Sequence, residues 1–164
     1  RVSSTKVRDA LRKGNMAEAN TWLGTPYPTS GKVVRGDAIG RTMGFPTANL
    51  KLDDPLKLLP SQGVYALWCQ TPDGTWHPAM ANVGRRPTIQ EGTSLSLEVH
   101  VIGAGGDWYG ETLHLRWMHW MRGEVKFGSK TELQAALHQD RESALILLEG
   151  TPWPLPIHQT PSSL

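Results

Sequence analysis

GKVVRGDAIGRTMGFPTAN, residues 31–49, carries the densest set of constraints in the chain. Gly36, Gly40 and Gly44 fall four residues apart, with Arg41 among them. Glycine lets the backbone take positive φ and come close to a ligand. Successive exposed N–H groups in such a turn form a concavity for anions. Thr47 and Asn49 are two residues apart, so in extended chain their side chains point the same way. Two neutral oxygens side by side suit a hard cation. The stretch therefore reads as a polyphosphate cradle beside a cation site. The same residue types also build ordinary turns between strands, and the glycine spacing by itself does not choose.

Outward from this stretch the pattern is strands and turns. Segments 31–35, 63–70, 75–83, 94–102 and 112–120 read as strands, and Pro72-Asp73-Gly74 is a turn between the second and third. Leu95, Leu97, Val99 and Val101 alternate with Ser96, Glu98 and His100, which gives that strand one apolar face. Seventeen glycines and twelve prolines favour a turn-rich β architecture. Short sequential strands with tight turns predict an antiparallel barrel. Residues 129–149 read as the strongest helix. Ser129 caps it, Glu132 completes a capping box, and Leu133, Ala136, Leu137, Ala144, Leu147 and Leu148 make a stripe facing the barrel. Two short helices fill residues 4–24. Gly14 ends the first, Asn15 and Glu18 cap the second, and Gly24 stops it. The tail TPWPLPIHQTPSSL reads as disordered or loosely draped.

Further pieces follow in order: PSQGVYA (60–66), ANVGRRPT (81–88), LEVH (97–100), GDWYG (106–110) and MRGEVKF (121–127). With GFPTAN they make residues 27–149 resemble the riboflavin kinase family. That resemblance implies a mainly β fold, a six-stranded Greek-key barrel with a C-terminal helix packed outside and short N-terminal helices. It implies transfer of the γ-phosphoryl group of ATP to the ribityl 5′-hydroxyl of riboflavin, giving FMN and ADP. Glu98 matches the family's general base, and Thr47 and Asn49 match its cation ligands, with Mg²⁺ accompanying ATP and no tightly bound prosthetic group. Gly36, Gly40, Arg41 and Gly44 are the expected phosphate-binding residues. Arg122 and Glu124 are placed near the flavin, with Glu124 orienting Arg122; a surface ion pair before a helix is the plainer reading of the same two residues. A strand glutamate facing solvent is likewise the plainer reading of Glu98, and turn hydrogen bonding that of Thr47 and Asn49.

The opening VSSTKVRDALRKG is similar to the closing motif of the nucleotidyltransferase domain of bacterial bifunctional FAD synthetases. Residues 1–24 are thus expected to be a helical remnant of such a domain, residues 25–150 the kinase barrel and its helix, and 151–164 a Pro-rich tail. An HxGH-type motif is absent, so FMN adenylyltransferase activity is not expected from these residues alone. The chain opens at Arg1 rather than Met, which reads as part of a longer protein. The loop 51–60 is expected to act as a flap over nucleotide. VIGAGGDWYG is richer in glycine than its counterparts in the family, and this bears on flavin affinity.

Composition narrows the alternatives. A net charge of +2 with scattered Lys and Arg argues against nucleic acid, although seven tryptophans could serve single-strand stacking. The lone Cys69 excludes an internal disulfide and fits a small core residue. No run approaches the ~18 apolar residues of a membrane span, and a cytoplasmic setting is expected. The competing function is a flavin- or nucleotide-binding barrel without useful catalysis.

Overall fold

The computed structural model describes residues 4–36, 44–87 and 92–155. Among the described residues nine elements follow in order: α1 (Ser4–Arg12), α2 (Met16–Leu23), β1 (Tyr27–Val34), β2 (Ala48–Leu52), β3 (Gly63–Gln70), β4 (Trp76–Pro87), β5 (Thr93–Val101), β6 (Thr112–Arg122) and α3 (Lys130–Glu149). The six strands close into a barrel in the order β1-β2-β5-β4-β3-β6, with β6 returning to β1. All neighbours are antiparallel. Strands β3, β4 and β5 follow one another directly, and β6 comes back beside β3, which is the Greek-key connection.

Alternation decides which side chains fill the barrel. Leu97, Val99 and Val101 of β5 point inward beside Ala79, Ala81 and Val83 of β4, Leu67 and Cys69 of β3, and Leu113, Leu115 and Trp117 of β6. Burial pushes the Cys69 thiol up to about 12. Trp117 Nε1 donates to Thr29 Oγ1 at 2.9 Å, so its one polar atom is satisfied inside. Val7, Ala10 and Leu11 of α1 and Met16 and Ala19 of α2 join this same core, so the N-terminal helix pair packs on the barrel. Asn20 fastens it by donating to the Trp117 carbonyl and accepting from the Tyr27 N–H.

The outer face of the barrel carries a second, smaller core. Ala66 and Met80 meet Ala144 and Leu148 of α3, with Leu137, Leu147, Met118 and Met121 around them. The predicted caps form: Ser129 Oγ accepts from the Glu132 N–H, and Asn15 Oδ1 from the Glu18 N–H.

Three expectations need correction. β2 was not among the five strands read from sequence; its alternation of Ala48, Leu50 and Leu52 is only five residues long and runs straight out of GFPTAN. The loop 51–60, expected to be a flap, lines neither cavity of the described residues. Residues 51 and 52 belong to β2, and the loop is tied to the barrel near its end, where Tyr27 Oη donates to the Leu58 carbonyl at 2.6 Å and Lys57 lies 4.6 Å from the Tyr27 ring. Burial and the charge of Asp54 push the Tyr27 hydroxyl up to about 12, so the donor persists across the working pH range. Nor is the start of the tail draped: Trp68 Nε1 donates to the Thr151 carbonyl, and Trp153 lies edge-on to Trp76 beneath the Arg116 guanidinium. The rest of the tail, 156–164, lies outside the described residues.

Candidate active site

Register places the predicted polar residues in one row. Asn49 of β2 pairs directly with Glu98 of β5, and Glu98 pairs with Asn82 of β4. Directly opposed residues point to the same face, and here that is the outer one, because the flanking Leu97, Val99, Leu50 and Ala81 are in the barrel core. The seam between β2 and β5 thus carries an amide and a carboxylate side by side.

Two cavities open on this seam. The first, about 380 Å³, lies between the barrel wall and α3, and Glu98, Asn82, Thr47 and His100 line its polar part. Val64, Met80, Val125, Phe127, Leu133 and Leu137 line much of its apolar part. A mostly apolar slot with a few polar groups suits a planar organic ligand. The second, about 660 Å³, is lined by Arg35, Gly36, Pro46, Thr47, Asn49 and the 104–109 turn. Thr47 lines both.

Gly36 is a glycine for a visible reason: a Cβ there would run into the Asn49 amide. Gly44 turns the chain at φ 80°, a left-handed conformation, just before Phe45; it lines neither cavity. Gly40 and Arg41 lie outside the described residues. Arg35, passed over in the sequence although it adjoins Gly36, is a described cation on the second cavity, its guanidinium 4.9 Å from the Tyr109 ring. The glycine-rich turn after LEVH borders this second cavity rather than the apolar slot, because Gly110 donates to the Val33 carbonyl and draws the turn against β1.

Arg122 and Glu124 both line the apolar slot. The expectation that Glu124 orients Arg122 is corrected by α3. Arg122 Nε and Nη2 donate to Asp140 Oδ1 and Oδ2 at 3.0 and 2.7 Å, a two-pronged ion pair. Glu124 instead folds over Gly84, where a Cβ would lie 2.8 Å from its Oε1. Asp140 was missed, though its place on the buried stripe between Leu137 and Ala144 was a signal: a buried carboxylate asks for a cation.

His100 sits two residues beyond Glu98 on the same face. Its Nδ1 donates to the Pro46 carbonyl at 2.8 Å, and its ring lies 5.3 Å from Phe45. Desolvation, aided by the nearby Arg141 charge, holds the imidazole below its usual range, although the Pro46 bond acts the other way. Thr47 and Asn49 offer neutral oxygens, and the space that Gly36 leaves for the Asn49 amide keeps that donor at the second cavity. This donor set fits a hard divalent cation such as Mg²⁺. Among the described residues no cluster of His, Cys, Asp and Glu could hold a metal by itself, so a cation here would share its shell with ligand oxygens and water.

The closed barrel thus carries a polar seam between an apolar slot and a glycine-edged cleft. The family model for riboflavin kinase (flavokinase) matches residues 23–148, and the chain belongs to that family. The family's activity is ATP-dependent phosphorylation of riboflavin to FMN, in general with a divalent metal. The chain is 39% identical over 142 residues to the bifunctional riboflavin kinase/FMN adenylyltransferase of Listeria monocytogenes, covering 87% of this chain and 45% of that one. It is 41% identical over 144 residues to the protein of the same description in Escherichia coli K12, covering 88% and 45%. The chain therefore spans under half the length of these curated relatives. Among solved structures, a Streptococcus pneumoniae protein described as a macrolide-efflux protein superposes with TM-score 0.82 at 39% identity, over 88% of this chain and 47% of that one. Riboflavin kinase from Trypanosoma brucei superposes with TM-score 0.54 at 24% identity, over 85% and 93%, a likeness of fold. No helix among the described residues is long and apolar enough to cross a membrane.

Proposed function

We propose that phosphoryl transfer from ATP to the ribityl 5′-hydroxyl of riboflavin takes place at the β2–β5 seam, with Glu98 as the general base. The observation that carries this is the direct pairing of Asn49 with Glu98, with Thr47 at the junction of the two cavities. The isoalloxazine ring occupies the apolar slot, so that the ribityl chain runs toward Glu98. Arg122, braced by Asp140, and Glu124 border the ring. The triphosphate lies in the cleft edged by Gly36, with Gly40, Arg41 and Gly44 completing its loop. Thr47 and Asn49 hold Mg²⁺, which when bound offsets phosphate charge. The work left to the chain is to align the alcohol and the phosphoryl group and to take one proton. Glu98 accepts that proton from the 5′-hydroxyl as the new P–O bond forms and the bond from the γ-phosphorus to the bridging oxygen breaks, releasing ADP. A cytoplasmic setting fits a reaction that consumes ATP.

The relatives join this activity to FMN adenylyltransferase in a longer chain. We extend the same arrangement to the full-length protein, with residues 1–24 as the tail of the preceding domain. The Glu98→Gln variant tests the central assignment. It is expected to keep the fold and the binding of riboflavin while losing ~10²-fold or more in FMN formation. Turnover near that of the parent protein removes Glu98 from the chemistry. A parent protein that binds flavin yet forms no FMN from riboflavin and Mg-ATP is a binding barrel instead.

A further inference from the structure

The β2–β5 ladder stops at the pair Ala48–Val99. Its register would next set Thr47 against His100, but no backbone pairing is made there, and the chain leaves the sheet through Pro46, which has no N–H to offer. Side chains take over where the ladder ends. His100 Nδ1 reaches the Pro46 carbonyl at 2.8 Å, and since a carbonyl only accepts, that nitrogen carries the proton. Phe45 is buried between two imidazoles, its ring 5.3 Å from His100 and 4.8 Å from His138 of α3. Thr47 is thus held from both sides, by the ladder at Ala48 and by His100 at Pro46.

We propose that His100 is a positioning residue for Thr47, replacing the missing rung of the ladder and so fixing the Thr47 hydroxyl toward the cation that accompanies ATP. The inference rests on the reading of Thr47 as a cation ligand. Residues that orient ligands from behind typically govern metal affinity by 10- to 100-fold.

The test compares His100→Ala, His100→Asn and Thr47→Ala by three measurements. These are the Mg²⁺ concentration that half-saturates the ADP-induced thermal shift, FMN formation, and riboflavin binding followed by quenching of flavin fluorescence. An asparagine amide lies near the place of imidazole Nδ1 and keeps a donor for the Pro46 carbonyl. His100→Ala is expected to raise the half-saturating Mg²⁺ about tenfold and to lower turnover, with a smaller loss of riboflavin binding because His100 also lines the slot; His100→Asn restores most of the Mg²⁺ effect. If His100→Ala leaves the Mg²⁺ requirement unchanged while Thr47→Ala raises it, the positioning role of His100 is overturned and the cation site stands. Failure of His100→Asn to improve on His100→Ala also overturns it, since ring packing on Phe45 is then what matters. If Thr47→Ala itself leaves the requirement unchanged, the cation reading of Thr47 fails, and this inference with it.

Discussion

A methyl group on Gly36 would collide with the Asn49 side chain, and Asn49 stands beside Glu98 in the sheet. Gly36 has ordinary backbone angles, so the strain of Gly36→Ala falls on that amide and not on φ. Thermal stability is expected to change little, because Gly36 is exposed beyond the end of β1. Affinity for Mg-ADP is expected to fall about tenfold, as isothermal titration would measure; unchanged affinity would take Asn49 out of the cation site. At this scale the residue types were readable in advance. Thr47 and Asn49 stood out in the linear chain as oxygen donors two residues apart, and Glu98 through the resemblance of LEVH to the family motif. The reason for Gly36 was not readable, since the side chain it makes room for arrives from another strand.

Among elements, the tie between β6 and α3 matters most for the apolar slot. Arg122 ends β6, Asp140 lies midway along α3, and the 123–129 segment between them forms part of the slot wall. The Asp140 side chain is 9% exposed and that of Arg122 28%. Asp140→Ala removes two charge-assisted hydrogen bonds and leaves a partly buried guanidinium. A loss of about 2 kcal/mol is expected, seen as a fall of about 6 °C in Tm. Riboflavin affinity should fall as well, while Mg-ADP affinity in the other cavity is kept; equal loss at both cavities would mean that α3 does not act through the slot. The helix itself was legible, down to its Ser129 cap. Its ion pair was not, because a carboxylate on a helical stripe does not name which distant cation will meet it. β2 escaped notice for another reason: five residues of alternation give a weak periodic signal, and their place in the sheet comes from β1 and β5.

For the molecule as a whole, two half-buried imidazoles set a pH dependence. Desolvation lowers His100 and His119 alike from their usual 6.5, against the smaller opposing effect of backbone hydrogen bonds. The folded protein therefore resists protonating them, and the unfolded chain takes up protons first. Stability is complete above about pH 6.5 and drains as pH falls through that value toward the lower folded pKa values. Tm is expected to drop between about pH 7.5 and pH 5.5, and His119→Gln, which lies away from both cavities, should flatten part of that slope. An unchanged slope in the variant would acquit His119. The sequence alone determined the inward face of β5, the helix caps and the donors available for chemistry, because periodicity and capping act over a few residues and show in the linear order. Tertiary structure alone decided that Asn49 meets Glu98, that Asp140 rather than Glu124 holds Arg122, and that His100 grips Pro46 from 54 residues away. Those partnerships depend on strand register and on how the barrel closes against its helix, and no local stretch of chain encodes either.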